Sequence, residues 1–121
     1  MAEIIQGVSY KVVAINPESG VNAFELVPKD ANGNVFNEVT LECDTFYEHI
    51  KIILPEIATL NGNWNISVKI INIGSTVFRV SVEAFGGELI GSGIDVRLDN
   101  PNSNVILTPV SSTVWSAILT A

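Results

Sequence analysis

The nine residues Val77 to Phe85, VFRVSVEAF, carry the clearest structural signal in the chain. Phe78, Val80, Val82 and Ala84 alternate with Arg79, Ser81 and Glu83. Successive side chains of an extended chain point to opposite faces, so this alternation reads as a half-buried strand. Working outward, Asn65 to Ile73 repeats the pattern with Ile66, Val68 and Ile70 inward. Val35 to Leu41 places Val35, Val39 and Leu41 on one face, with Glu38, Thr40 and Glu42 on the other. Tyr10 to Ile15, Val21 to Val27, Ile94 to Leu98, Val105 to Val110 and Thr113 to Leu119 complete the set.

Turn residues separate these stretches. Asn16-Pro17-Glu18-Ser19-Gly20, Asn61-Gly62-Asn63, Gly74-Ser75, Gly86-Gly87 and Gly91-Ser92-Gly93 all interrupt the alternation. Asn32-Gly33 is a hairpin signal, because both residues tolerate a positive φ. The polar stretch Asp99 to Asn104 suggests a second hairpin, between Ile94–Leu98 and Val105–Val110. Residues 44–60 hold two patterns. Phe46, Ile50, Ile53, Ile57 and Leu60 fit a helical stripe that Asp44 could cap, but Pro55 would break it. Ile50, Ile52 and Leu54 alternate, which favours a strand and a helical turn after Pro55.

The expected fold is therefore all-β: an antiparallel β-sandwich, jelly-roll-like, with eight or nine short strands and at most one short helix. Residues 1–121 are expected to form a single domain, with 1–9 as a flexible N-terminal arm.

Composition agrees. Ile and Val together number 30 against 8 Leu, and β-branched residues favour strands. Only 16% of residues are charged, against roughly 25% in an average domain, and mean hydropathy is +0.38. Disorder is excluded on those grounds. Several strands are apolar on both faces, as at Ile52-Ile53, Ile70-Ile71 and Val105-Ile106-Leu107. A small single chain offers little room to bury both, so contact between subunits is expected.

The net charge is −7, and the six Lys and Arg residues are scattered. Neither nucleic acid nor an anionic membrane is an expected partner, since both need clustered cations. Cys43 is the only cysteine, which fits a reducing compartment, and MAEIIQGVSY lacks the regions of a signal peptide.

No catalytic, cofactor-binding or metal-binding residue is assigned. His49 is the only histidine, so any catalytic triad would have to use it, and its charged neighbours Glu48 and Lys51 suggest a surface position. One His and one Cys are too few ligands for zinc. Asp95, Asp99 and Asn100 read as turn chemistry rather than a calcium loop. Trp64 and Trp115 could stack on sugars, but packing is the commoner use of a strand tryptophan.

The order of elements from Val39 to Trp115 carries a resemblance. HIKIILPEI (His49 to Ile57) is followed by NGN (Asn61 to Asn63) and VKIINIGS (Val68 to Ser75). FRVSVEAFGGELIGSG (Phe78 to Gly93) and NVILTPVSSTVW (Asn104 to Trp115) complete it. This order resembles the small β-sandwich modules of tailed-phage structural proteins: capsid decoration proteins, head fibres and tail fibres. Pro109 and the lack of a Gly before the Trp depart from the pattern in the last hairpin.

The resemblance implies a free-standing, non-enzymatic virion protein on the capsid surface, assembled in the host cytoplasm. It implies a homotrimer and the phage major capsid protein as partners. Ile53, Ile71, Ile106 and Trp115 are the expected subunit interface, and Ile4 and Ile5 the expected capsid contact. The alternative is a receptor- or carbohydrate-binding module of tail-fibre or lectin type.

Overall fold

The computed structural model describes residues 7–13, 23–46, 48–62, 64–74 and 78–120. The protein is all-β, with two sheets around one apolar core. Six strands form the larger sheet: β1 (Val8–Val13), β3 (Glu38–Asp44), β5 (Ser67–Asn72), β9 (Asn104–Pro109), β10 (Val114–Thr120) and β7 (Leu89–Ile90), in that spatial order. The smaller sheet runs β2 (Ala23–Glu25), β4 (Ile50–Ile53), β6 (Val80–Glu83), β8 (Asp95–Leu98). A 3-10 turn at Ile57–Leu60 follows Pro55.

Strand direction corrects the antiparallel expectation. Five of the eight strand pairings among the described residues are parallel. The chain visits one sheet, crosses to the other, and returns beside its previous pass in the same direction. β1 and β2, β3 and β4, and β5 and β6 are three such windings, the path of a β-solenoid. Val8, Val39 and Val68 occupy equivalent positions, as do Phe24, Ile52 and Val82. Parallel strands need a crossover of a dozen residues or more, and here the crossover is the strand of the opposite sheet. After the third winding the chain reverses: β8 runs antiparallel to β6, β9 to β5, and β10 to β9.

Both expected hairpins before the last one are also corrected. Gly33 (φ 83°) does turn the chain, but only the bridge Lys29–Val35 closes it, and the flanking strands join different sheets. β8 and β9 likewise lie in different sheets. β1 starts at Val8, inside the expected N-terminal arm, whose first six residues are outside the described set.

The inward faces agree with the alternation. Val39, Leu41, Val68, Ile70, Val105 and Leu107 stack across the larger sheet, opposite Ile50, Ile52, Val80, Val82 and Leu98 of the smaller one. Each such side chain contributes roughly 1.5–3 kcal/mol by leaving water.

Glu88 ties the 3-10 turn to this body. Its buried carboxylate accepts the Ile57 N–H at 3.2 and 3.1 Å. Burial raises the Glu88 carboxyl above its ordinary 4.5; the Ile57 bond opposes this and neighbouring Glu56 adds to it. A raised folded value means that the native state holds the proton more tightly than the unfolded chain. The stabilisation from protonation is complete below about 4.5 and fades as pH rises through the folded value. Glu88→Gln keeps an acceptor for Ile57 and cannot ionise. Its stability relative to wild type should therefore rise between pH 4 and pH 7, as measured by thermal melts; an unchanged difference would refute this.

Candidate functional site

The outward face of the larger sheet is set by the same alternation that builds the core. With Val68, Ile70, Val105, Leu107 and Trp115 inward, Lys69, Ile71, Ile106, Ser116 and Ile118 point out. Ile106 lies directly between Lys69 on β5 and Ile118 on β10. Ile71 lies between Glu42 and Asn104, one step along the strands from Ile106. Ile71 and Ile106 are half-buried and Ile118 is 66% exposed. The three isoleucines form an apolar strip with Lys69 and Glu42 on its flank.

Two of the expected interface residues, Ile71 and Ile106, thus share this strip. Ile118 belongs with them, and sequence reasoning missed it; counting three residues on from the inward Trp115 would have placed it on the outer face. Trp115 is fully buried by its own chain, so it belongs to the core between the sheets. Ile53 lies in the other sheet, in a groove of about 440 Å³ lined also by Leu26, Val27, Pro28, Pro55 and Phe85. Ile4 and Ile5 lie outside the described residues.

The reactive side chains are engaged structurally. Cys43 is buried on the inner face of β3, and desolvation pushes its thiol up to about 12, so it stays protonated at neutral pH. His49 accepts the Arg79 N–H at Nδ1 (3.0 Å) and meets Phe78 edge-on, with ring centroids 5.2 Å apart. Asp95 pairs with Arg97 at 3.5 Å and Asp99 with Arg79 at 3.4 Å. Among the described residues, no three His, Cys, Asp or Glu side chains are grouped as a metal site would require. Trp64, 41% exposed, stands beside the turn at Asn61-Gly62.

What the outer strip can do is associate. It offers apolar area and few charges, the properties of an interface core. Compared with models of known families and with curated proteins, the chain matches none.

Proposed function

We propose that the chain is a non-enzymatic structural protein of a virion, a capsid decoration (cement) or head-fibre protein that binds across capsomers. The observation that carries this reading is the apolar strip Ile71–Ile106–Ile118 on a protein of net charge −7. Like-charged copies repel, so their association draws on apolar burial. The ordered motifs from Val39 to Trp115 add the resemblance to phage structural modules, with the two sheets serving as the layers of a sandwich-type body.

The mechanism is mechanical. A protein bound across a junction stabilises the assembled shell by mass action, and several linked contacts multiply the effect. Copies self-associate at the side of the sheet that carries this strip, and the homotrimer is the form that the resemblance implies. A second reading, binding of a receptor or carbohydrate, draws on Trp64, whose exposed ring could stack on a sugar.

Mass spectrometry of purified virus particles from the encoding organism tests the first reading. The chain should be present in stoichiometric amounts; its absence from particles, with the protein found free, would overturn it. Glycan-array binding lost in Trp64→Ala would favour the second.

A further inference from the structure

We infer that β10 is the seat of a two-fold contact in which the larger sheets of two copies of this chain join edge to edge. This rests on the reading of the chain as a self-associating structural protein, and it commits that reading to a dimer.

The argument begins with the hydrogen bonds of β10. The Leu89 N–H donates to Thr113 C=O (2.9 Å), and the Gly91 N–H to Trp115 C=O (2.7 Å). The Val110 N–H donates to Val114 C=O (2.9 Å). Odd-numbered residues of β10 therefore turn their backbone groups toward β7, and even-numbered ones toward β9. The pairing with β7 stops at Trp115, whereas the pairing with β9 runs to Thr120. Among the described residues, the N–H and C=O of Ala117 and Leu119 face an open edge.

Among the described residues, that edge lacks the usual protection. Natural proteins guard open strand edges with charge, extreme shortness or covering elements. The other edge strands follow the rule: β1 carries Lys11, β2 carries Glu25, β8 carries Asp95 and Arg97, and β7 has two residues. β10 reads VWSAILT, with no charge and no proline. Ile118 and Leu119 are 66% and 56% exposed, on opposite faces of the strand.

A second copy fits this edge because the edge is complementary to itself. With an antiparallel two-fold axis at Ile118, Ala117 stands opposite the partner's Leu119 and Leu119 opposite the partner's Ala117. All the open N–H and C=O groups of both strands then pair. An axis at Ala117 would instead engage Trp115, whose C=O already serves Gly91. An axis at Leu119 would set Ala117 opposite position 121, outside the described residues, and so pair only Leu119 among the described open groups. In the Ile118 register the outer face carries Ile106, Ile118, the partner's Ile118 and the partner's Ile106 in one row. Lys69 bounds the row at each end. On the inner face Leu119 covers the partner's Ala117.

Three measurements test the contact. Sedimentation equilibrium of the wild-type chain at tens to hundreds of micromolar should give about 26 kDa, twice the chain mass of 13.0 kDa. Ala117→Pro should weaken the dimer at least tenfold with an unchanged circular dichroism spectrum, because the lost N–H has no partner among the described residues and edge strands tolerate such a proline. Oxidised glutathione should cross-link Ile118→Cys into a covalent dimer, since facing residues of a non-hydrogen-bonded pair lie about 4.5 Å apart at Cα, within disulfide range. Thr120→Cys should not cross-link, because its two copies would lie about 14 Å apart. Val27→Lys, in the groove of the other sheet, should leave the dimer intact.

A species of about 39 kDa, or a dimer insensitive to Ala117→Pro, would overturn the edge contact while leaving self-association standing. Cross-linking of Thr120→Cys as readily as Ile118→Cys would overturn the register. A 13.0 kDa monomer at every concentration would overturn both the contact and the self-association it rests on.

Discussion

Trp115→Ala should cost about 3–5 kcal/mol of folding stability, the range for removing a large aromatic side chain from a core. Trp115 is fully buried and pairs with Pro109 of β9 and Ile90 of β7, so it holds the reversed end of the larger sheet together. Whole domains are stable by only about 5–15 kcal/mol, so the loss would be a large part of the total. Urea unfolding read at equilibrium measures it. Trp115→Phe should cost clearly less than Trp115→Ala. It keeps much of the aromatic volume and removes an indole N–H that is buried without a hydrogen-bond partner among the described residues. A loss below about 1 kcal/mol for Trp115→Ala would contradict the core placement, since even shaving one methyl from a core residue costs about that much.

Asn72→Leu should be comparably damaging, at about 3–5 kcal/mol, although the side chain keeps the same number of heavy atoms and the same branching. Asn72 is fully buried at the end of β5. Its Nδ2 donates to the Leu98 C=O at 3.0 Å, tying the larger sheet to the smaller. Its Oδ1 accepts the Thr45 hydroxyl at 2.7 Å and the Gly74 N–H at 3.2 Å. Leucine can bond none of these groups, and a polar group orphaned in the interior costs about 1–3 kcal/mol. The neighbouring glycine is equally constrained: a Cβ on Gly74 would come within 2.8 Å of the Phe46 N. Asn72→Asp should be milder only in acid, where the protonated carboxyl can still donate to the Leu98 C=O; ionised, it sets a buried charge against that carbonyl. If Asn72→Leu unfolds at the wild-type urea midpoint, the polar link between the sheets contributes nothing.

The face each strand buries was legible wherever apolar and polar residues alternate. Val39 and Leu41, Val68 and Ile70, and Val80 and Val82 lie in the core as their periodicity indicates. The strand before Pro55 and the short helical turn after it are also where the residues place them. Partners and directions were not legible, because alternation records only which face of a strand is buried. Turn chemistry misled at Asp99–Asn104, where the same polar residues that close hairpins carry the chain from one sheet to the other. There, Asn102 takes a positive φ of 67° and its N–H meets the Asn72 C=O. One signal for parallel winding was present: Val8, Val39 and Val68 recur 31 and 29 residues apart. Only a few apolar residues repeat at that spacing, so it is faint beside the strand alternation.

The candidate site divides the same way. Doubled apolar residues marked Ile71 and Ile106 as carrying more hydrophobic surface than one face needs. That Trp115 turns inward while Ile118 turns outward follows from the parity of β10 once its register with β9 is known. The β class, the inward face of the main strands, the low charge and the surplus of apolar side chains follow from the residues alone, because composition and local periodicity need no knowledge of distant contacts. The tertiary structure decided that the strands wind in parallel and that Asn72 joins the sheets. It also decided that β10 runs on beside β9 past the end of its pairing with β7. These depend on which distant segments become neighbours, and that is settled by the joint packing of side chains far apart in the chain.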